Sequence, residues 1–381
     1  MIVVLADDLS GAAELAGAAA KQGLKAEVHT TFDGHATAEV VAVDTDTRGL
    51  PANQASERVS AVAGQAMRAR PSWIYKKVDS VLRGHIQVEI QAIMAATGLD
   101  RALLIPANPS KDRVIRNGIY FVEGRNLTDT PFALDPEFPA TTSQVIECLR
   151  REGDTPCYQV GREETPGADG ITIPDAESLE DLKRRAEALS SGTLAAGGVD
   201  FFKAILQHRV KEKASVEAAA VHKPFNGITL LVCGSAAAIE GGRMEECRRH
   251  GFVVSRMPEP MFMGEQGRGD TSEWAEGVLA MFKRGGKVMV TVGRGVAERS
   301  PQPPGRLIGP LVDVAAIVIK EVEVGSLMME GGATAKGLLE RMAWTRLGVE
   351  LEGEESWFTI SERPGLRLLI KPGSYPWIGM G

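Results

Sequence analysis

Charged and hydroxyl side chains follow three short apolar segments that are typical of buried β-strands. Ile2–Ala6 leads into Asp7-Asp8-Leu9-Ser10-Gly11-Ala12, and Val40–Val43 leads into Asp44-Thr45-Asp46-Thr47-Arg48. Trp73–Lys76 leads into Lys77-Val78-Asp79-Ser80-Val81-Leu82-Arg83-Gly84. In open α/β sheets, ligands bind outside the carboxyl ends of parallel strands, so chemistry is expected at these segments. The charged residues that they supply are Asp8, Asp44, Asp46, Arg48, Lys76, Lys77, Asp79 and Arg83.

This mixture of charges suits a small, polar, anionic substrate. Arg48 can bind a carboxylate or phosphate through two parallel hydrogen bonds, and Lys77 can do so as a point charge. The carboxylates can bind sugar hydroxyls, coordinate Mg²⁺ or accept a proton. Two simpler interpretations stay open: Asp8 or Ser10 can cap a following helix, and the charges can form solvated surface salt bridges.

Small residues occupy two further strand ends, both in the second half of the chain. Leu231-Val232-Cys233 leads into Gly234-Ser235-Ala236-Ala237-Ala238, and Leu327-Met328-Met329-Glu330 leads into Gly331-Gly332-Ala333-Thr334-Ala335-Lys336-Gly337. Where a strand turns into a helix, small residues let backbone N–H groups approach phosphate oxygens, and the helix N-terminus adds positive potential. Glycines at such turns can also serve purely steric needs. Two such turns in one half favour a nucleotide-phosphate site.

Sequence motifs for several other kinds of site are absent. The chain has no GxxxxGK[ST] segment, no GxSxG segment and no HxxxH spacing. Gly293-Arg294-Gly295-Val296-Ala297-Glu298 has Glu where a dinucleotide fingerprint needs Gly or Ala, and prolines follow soon after. These observations disfavour a Walker-type site, an NAD site, a serine hydrolase and a histidine metal site. His85 lies near the charged segments, and we expect it to begin a helix.

Short strand-like runs alternate with longer amphipathic stretches, which predicts an α/β fold made of two α/β domains with mainly parallel sheets. In the first half the candidate strands are Ile2–Ala6, Ala26–Thr30, Val40–Val43, Trp73–Lys76 and Ala102–Ile105, and the candidate helices are Ala12–Lys21, Asn53–Arg68, Ile86–Thr97, Ser143–Arg151 and Glu177–Leu189. Pro106–Phe138 shows no periodicity, and we expect it to lie over a site. Turn residues end the stretch Gln207–Gly227, where we place the domain boundary. Beyond it, the candidate strands are Ile228–Cys233, Phe252–Ser255, Val288–Val292, Ser326–Met329 and Leu366–Lys371, and the helices are Glu240–His250, Leu307–Lys320 and Ala333–Trp344.

The composition is that of a folded chain with room for two domains. Of 381 residues, 44% are hydrophobic and 24% are charged, both near the globular average. Lys and Arg number 43 against 50 Asp and Glu, and the net charge of -7 disfavours a nucleic-acid partner. The four cysteines have no CxxC spacing and are expected to be buried, reduced thiols. No segment has the length of a membrane span, and acidic residues interrupt the apolar start of the chain. We therefore expect a cytoplasmic protein with no membrane partner.

The ordered motifs resemble those of one family. Asp7-Asp8-Leu9-Ser10-Gly11, Asp44-Thr45-Asp46-Thr47-Arg48, Lys76-Lys77-Val78-Asp79-Ser80-Val81-Leu82-Arg83-Gly84 and Pro106-Ala107-Asn108-Pro109 are similar, in the same order, to the signature of the four-carbon acid sugar kinase family. Cys233-Gly234-Ser235, Glu330-Gly331-Gly332-Ala333-Thr334 and Lys371-Pro372-Gly373-Ser374 resemble the nucleotide-binding segments of that family. The resemblance covers nearly the whole chain.

The resemblance implies that a domain at 1–215 binds a four-carbon sugar acid such as threonate, erythronate or a 3-oxo-tetronate. A domain at 225–381 would bind ATP, with Mg²⁺ on the nucleotide phosphates. The ligands would meet in a cleft between the two domains, and the product would be a 4-phosphate. We expect Asp8 to accept the proton of the C4 hydroxyl. We assign no residue as a metal ligand. The protein is a possible homodimer. Carried over by motif, Asp8, Arg48, Lys77, Asp79 and Arg83 would hold the sugar acid, and Ser235, Gly331, Gly332, Ala333, Thr334 and Gly373 would contact ATP.

Two rival functions stay open. The sequence departs from the family pattern at Ala333, where an acidic residue is usual, and at Lys336, where Gly is common. After the Gly-Ser pair the family favours a Ser/Pro and Thr pattern with a later Gln, and this chain has Ala237, Ala238, Glu240 and Arg243 there. These departures leave room for a sugar-acid binding or sensing protein with a degraded ATP site. Separately, Asp44-Thr45-Asp46-Thr47 approximates the DxDx pattern of aspartyl-phosphate phosphohydrolases, which attack through the first Asp.

Overall fold

The structure is a computed structural model that describes residues 1–135, 138–149, 153–164, 167, 169–210, 227–265, 271–295, 300–352 and 355–371. The chain divides into two compact units, Met1–Glu217 and Ala218–Gly381. Most of the predicted boundary segment lies outside the described residues. The binding roles expected of 1–215 and 225–381, and the cleft between them, stay predictions.

The first unit contains a mainly parallel α/β arrangement. In chain order its strands are β1 (Ile2–Ala6), β2 (Ala26–His29), β3 (Val40–Asp44), β4 (Trp73–Lys77), β5 (Arg101–Ile105), β6 (Arg113–Arg116), β7 (Ile119–Val122), β8 (Arg125–Asn126), β9 (Cys157–Val160), β10 (Gly170–Pro174) and β11 (Leu194–Gly197). Its helices are α1 (Leu9–Ala20), α2 (Ala52–Arg68), α3 (Ile86–Thr97), α4 (Val145–Leu149), α5 (Leu179–Glu187) and α6 (Val199–Arg209).

Within the described residues of this unit, a parallel sheet has the strand order β2-β3-β1-β4-β11-β5-β10-β9. The central strands are apolar runs buried on both faces, as expected for a parallel sheet covered by helices. Helix α1 packs with α6, and α2 packs with α3. The predicted first strand and the predicted helix Ile86–Thr97 have the predicted bounds, and the other elements of the first hundred residues differ by three residues or fewer.

Strand β11 was missed by the sequence patterns although it lies in the middle of the sheet. Its residues are small because β11 is packed between β4 and β5: a Cβ on Gly197 would overlap the main-chain oxygen of Ile105. The Tyr75 hydroxyl donates to the Gly198 carbonyl at 2.8 Å, and the Tyr75 and Phe202 rings lie 5.0 Å apart. Strand β11 therefore lacks the β-branched residues that usually indicate a strand in a sequence, and neighbouring aromatic side chains pack around it instead. Strands β9 and β10 were also missed.

The segment expected to be irregular, Pro106–Phe138, contains a small antiparallel sheet with the order β6-β7-β8. Its Asn108 is buried and structural, because the Asn108 Oδ1 accepts from the Asp200 amide at 3.1 Å at the start of α6. The Asp200 carboxylate in turn accepts from the amide and hydroxyl of Ser110, both at 2.9 Å. The Pro-Ala-Asn-Pro motif therefore ties this segment to α6.

The second unit also combines strands and helices. Its strands are β12 (Ile228–Cys233), β13 (Val253–Arg256), β14 (Lys287–Thr291), β15 (Val324–Glu330), β16 (Arg346–Glu352), β17 (Glu355–Ile360) and β18 (Arg367–Lys371). Its helices are α7 (Ala236–Glu240), α8 (Arg243–Arg249), α9 (Glu259–Met263), α10 (Thr271–Phe282), α11 (Pro304–Glu321) and α12 (Gly332–Arg341). Strands β13-β14-β12-β15-β18 are parallel in that order, and β17 and β16 continue the sheet antiparallel.

The sequence predictions for this unit were incomplete. Of the predicted helix Glu240–His250, the structure has α8 (Arg243–Arg249), and a separate short helix, α7, ends at Glu240; Gly242, with a φ of 83°, lies between the two. Helix α10 and the antiparallel pair β16–β17 were not predicted. All four cysteines are buried free thiols, as expected. Among the described helices, none is long and apolar enough to cross a membrane.

Candidate functional site

The register of the parallel strands gathers the three charged segments of the first unit. Ala6 pairs with Asp44 on one side and with Lys77 on the other, so the segments after β1, β3 and β4 leave the sheet at one edge. The chain runs from β1 toward β2 on one side and from β4 toward β5 on the other. This reversal is a topological switch point, where open α/β sheets form a crevice for ligands.

Arg48 lies at the centre of this edge and contacts three carboxylates. Its Nε and Nη2 donate to the two oxygens of Asp7 at 2.7 and 3.0 Å, and its Nη1 donates to Asp8 Oδ2 at 2.9 Å. Its Nη2 lies 3.6 Å from Asp79 Oδ1. Burial lowers the pKa of Arg48, but the three carboxylates outweigh burial and raise it well above its usual value. Arg48 is therefore a permanent cation, and these contacts are largely buried rather than solvated surface pairs.

Asp8 has a structural role, and its side chain is also partly exposed to solvent. It is the N-cap of α1, and its Oδ1 accepts from the Gly11 amide at 2.8 Å, so the capping interpretation is confirmed. Its side chain is still 26% exposed, whereas Asp7 is buried. Burial and the neighbouring Asp7 raise the pKa of Asp8, and together they outweigh Arg48 and Lys77, which lower it. Asp8 is thus an accessible carboxylate with increased basicity.

Asp79 organises the turn after β4. Its carboxylate accepts from the Arg83 Nε and Nη2 at 3.1 and 2.9 Å, and from the amides of Val81 and Arg83 at 3.0 and 3.2 Å. Burial opposes its ionisation, but Arg48 and Arg83 hold the pKa of Asp79 well below its usual value. The Arg83 Nη1 donates to Asp135 at 3.2 Å. Asp79 therefore holds both guanidinium groups.

Lys77 and Lys76 lie on opposite faces of β4, since side chains alternate along a strand. The Lys77 Nζ donates to the Val78 carbonyl at 2.8 Å and lies 3.4 Å from Glu14 of α1. The pKa of Glu14 is lowered, because Lys77 and Lys111 outweigh the effect of burial. Lys76 is fully buried in an ion pair with Glu89 of α3, so the expectation that it joins the charged edge is wrong.

The two acidic residues after β3 also separate. Asp44 is buried, and its Oδ1 accepts from the Asp46 amide at 2.9 Å. The Asp46 side chain is 43% exposed and pairs with Arg58 at 3.3 Å. His85 is the N-cap residue of α3, as expected.

In the second unit, the two glycine turns lie side by side. A Cβ on Gly234 would overlap the Thr334 Oγ1, and a Cβ on Gly331 would lie 3.5 Å from the same oxygen and 3.9 Å from the Ser235 amide. Gly331 has a φ of 110° and directly precedes α12. The first N–H groups of a helix have no hydrogen-bond acceptor within the helix itself. The Ser235 Oγ accepts from the Ala238 amide at 3.2 Å. The arrangement presents backbone N–H groups, which suits phosphate.

A buried charge cluster lies directly before the Gly331 turn. Glu330 is fully buried, and its carboxylate accepts from the Arg243 Nε at 3.0 and 3.2 Å and lies 3.4 Å from the Lys371 Nζ. Arg243 also pairs with Glu246. Burial lowers the pKa of Lys371, and Glu330 opposes that effect. Arg243 therefore serves a structural pair in this chain.

The other residues that were predicted to contact ATP lie at the start of α12 or outside the described residues. Gly332, exposed Ala333 and buried Thr334 form the first turn of α12, and Lys336 pairs with Glu340 one turn further on at 3.0 Å. Gly373 lies outside the described residues. The described residues contain no group of three or more His, Cys, Asp or Glu side chains that could hold a metal ion.

The structure brings Asp8, Arg48, Asp79 and Arg83 together at one edge, with Lys77 buried beside them. Sequence reasoning missed two partners, namely Glu14 and Asp135. It noted Asp7 beside Asp8 at the same strand end but gave Asp7 no role, and the structure pairs Asp7 with Arg48. Glu14 and Asp135 give no local signal, since each meets its partner only through the tertiary fold.

This chain is similar to a family model, to several named kinases and to a solved structure. A family model described as a sugar-binding N-terminal domain matches residues 2–238. A D-threonate kinase of Salmonella typhimurium is 30% identical over 203 residues, which is 49% of this chain and 48% of the relative, so that match spans about half of each. A D-threonate kinase of Cupriavidus necator is 26% identical over 98% of this chain and 94% of its own length. Other relatives are named D-erythronate kinase and 3-oxo-tetronate kinase. A solved structure from Salmonella typhimurium has the same fold, with a TM-score of 0.80 at 16% identity, covering 98% of this chain and 96% of its own.

Proposed function

The chain belongs to the four-carbon acid sugar kinase family, and we propose that it transfers the terminal phosphoryl group of ATP to the C4 hydroxyl of a four-carbon sugar acid. The names of its relatives support the acceptor class and the reaction. One observation carries the proposal: a partly exposed carboxylate, Asp8, lies beside the guanidinium of Arg48 at the switch point of a parallel sheet. Threonate, erythronate and 3-oxo-tetronate are the candidate acceptors.

Asp8 acts as the general base in this proposal. Phosphoryl transfer needs positioning, charge neutralisation and a group that takes the proton of the attacking hydroxyl. Among the three aspartates around Arg48, Asp8 has the most exposed side chain, and its pKa is raised, first of all by burial. A carboxylate of raised pKa accepts a proton more readily at neutral pH.

Arg83 binds the carboxylate of the sugar acid. Its side chain is 29% exposed, compared with 20% for Arg48 and 5% for Lys77. A guanidinium suits a carboxylate because it offers parallel N–H donors. Asp79 orients Arg83 through two side-chain hydrogen bonds and lies 3.6 Å from the Arg48 Nη2, and Lys77 contributes positive potential.

The glycine turns of the second unit bind the nucleotide phosphates. Backbone N–H groups at Ser235 and at the start of α12 are the donors, and Gly373 is proposed with them from the family motif. Mg²⁺ bound with the nucleotide would neutralise phosphate charge, since this ion is usually held by one or two carboxylates together with phosphate oxygens and water.

The first test is a screen of D- and L-tetronates with ATP and Mg²⁺, in which ADP release and the phosphorylated product are measured. ADP formed in equal amount to a sugar-acid 4-phosphate is the expected result. Tetronate binding by calorimetry without any ATP binding would instead support a sensing protein. Release of inorganic phosphate from a sugar phosphate in the absence of ATP would support a phosphohydrolase.

The second test is Asp8→Asn, with Asp46→Asn as the matched control. Asn caps a helix about as well as Asp, so the variant keeps the start of α1 while it loses the base. We expect kcat to fall by about 10²–10⁴-fold, the usual contribution of a general base. Asp46 pairs with Arg58 at an exposed position, so its variant should retain wild-type kcat. A kcat for Asp8→Asn within about threefold of wild type, less than 1 kcal/mol in barrier, would remove Asp8 from this role.

A further inference from the structure

Asp7 is a buried carboxylate that the proposed chemistry does not use. Its two oxygens accept from Arg48 Nε and Nη2 at 2.7 and 3.0 Å, which is a two-point, side-on contact. Asp8 receives only the Arg48 Nη1, at 2.9 Å. Two adjacent aspartates thus share one guanidinium unequally.

The Asp7–Arg48 contact is fixed by the surrounding backbone. The amides of Thr47 and Arg48 donate to the Asp7 carbonyl at 3.0 and 3.3 Å, which holds the segment after β3 against the end of β1. Gly84 closes over the pair: a Cβ there would lie 3.3 Å from Asp7 Oδ2 and 3.5 Å from the Arg48 Cγ. Gly84 has a φ of 87°, a conformation that glycine adopts most readily. The pair is therefore held on several sides.

We propose that Asp7 is a positioning residue: it holds the Arg48 guanidinium edge-on, so that Asp8 shares only one N–H group and remains free to accept the substrate proton. The inference rests on the proposed function, because it concerns the base of that reaction. Asp7 offsets the charge of Arg48, so the cation needed for an anionic substrate can stand beside the base without suppressing its basicity.

The charged groups around Asp8 set the direction of the expected effect. Asp7 precedes it on the chain, Arg48 approaches from the segment after β3 and Lys77 from β4. Asp79 and Lys76 act on Asp7 in turn. Loss of the Asp7 charge leaves Asp8 facing Arg48 and Lys77, so the pKa of Asp8 must fall. A neighbouring charge within a few ångströms shifts a carboxyl pKa by about one unit or more.

The kinetic test compares wild type, Asp7→Asn and Asp7→Glu in the pH dependence of kcat/KM for the tetronate. The acid limb of that profile reports the base of the free enzyme. We expect Asp7→Asn to move the limb to lower pH by about one unit, with kcat at pH 7.5 reduced by about threefold to tenfold because the base is weaker. Asp7→Glu keeps the charge and should keep the limb in place. A uniform loss at every pH, with the limb of Asp7→Asn unmoved, would overturn the proposal.

A second readout does not depend on turnover. Carboxyl ¹³C NMR of aspartate-labelled protein gives the titration of Asp8, identified as the resonance absent from Asp8→Asn. A lower Asp8 pKa in Asp7→Asn supports the positioning role even if every tetronate proves inert, in which case only the proposed function fails. An unchanged Asp8 titration overturns the positioning role even if the kinase reaction is found. Asp7→Ser removes the charge without placing an amide against the guanidinium, and gives the same comparison if Asp7→Asn does not fold.

Discussion

Replacement of Glu330 by Gln should strongly destabilise the second unit. Glu330 is fully buried, and it is a counter-ion of both Arg243, which is 6% exposed, and Lys371. Removal of one partner from a buried ion pair costs about 3–5 kcal/mol, because the remaining charges stay buried without it. Arg243 keeps its pair with Glu246, so we expect the low end, about 3 kcal/mol. That is a large fraction of a typical stability of about 5–15 kcal/mol.

Urea unfolding followed by tryptophan fluorescence measures this loss. Four of the five tryptophans lie at residue 274 or beyond, so the signal reports mainly on the second unit. The matched control is Glu245→Gln on α8, because Glu245 is 68% exposed and pairs with Arg248 only at the surface. An exposed pair of this kind contributes about 0–1 kcal/mol.

Two outcomes would refute this reasoning. The first is a free energy of unfolding for Glu330→Gln within about 1 kcal/mol of that of Glu245→Gln, the range of exposed pairs. The second is strict additivity of Glu330→Gln and Arg243→Met, since residues in direct contact should show a coupling energy of about 0.5–3 kcal/mol.

Two further predictions concern the charged edge and the nucleotide turn. The depressed pKa of Asp79, caused by the guanidinium groups despite burial, stabilises the fold above the unfolded-state pKa of about 3.9, and this contribution is lost as pH falls toward the folded-state pKa. The stability advantage of wild type over Asp79→Asn, measured by urea unfolding, should therefore be smaller at pH 3 than at pH 7, and a constant difference would contradict the assignment. Gly234→Ala should crowd Thr334, weaken ATP binding measured by calorimetry at least tenfold and cost about 1–3 kcal/mol of stability. Gly305→Ala, which has open space, is its control, and equal ATP affinity in the two variants would refute the crowding.

Local sequence patterns were enough to predict the central elements and most of the charged edge. Ile2–Ala6 and Ile86–Thr97 have the predicted bounds, because apolar runs and helical periodicity are local properties. The placement of Asp8, Arg48 and Asp79 at one edge followed from a single rule, that polar segments after parallel strands leave the sheet on the same side. Strand β11 escaped detection because its small residues are chosen for close packing rather than for strand propensity.

The sequence by itself determined the α/β class, the order of the charged and glycine-rich segments and the family, since each of these is written in short contiguous runs. Only the tertiary structure decided which charges meet. It places Lys76 and Lys77 on opposite faces of β4 and pairs Arg83 with Asp135, which is 52 positions away in the sequence. It also directs two hydrogen bonds of Arg48 to Asp7 and one to Asp8. The physical reason is that an ion pair depends on strand register and burial at ångström scale, and residues distant in sequence carry no local pattern that specifies either.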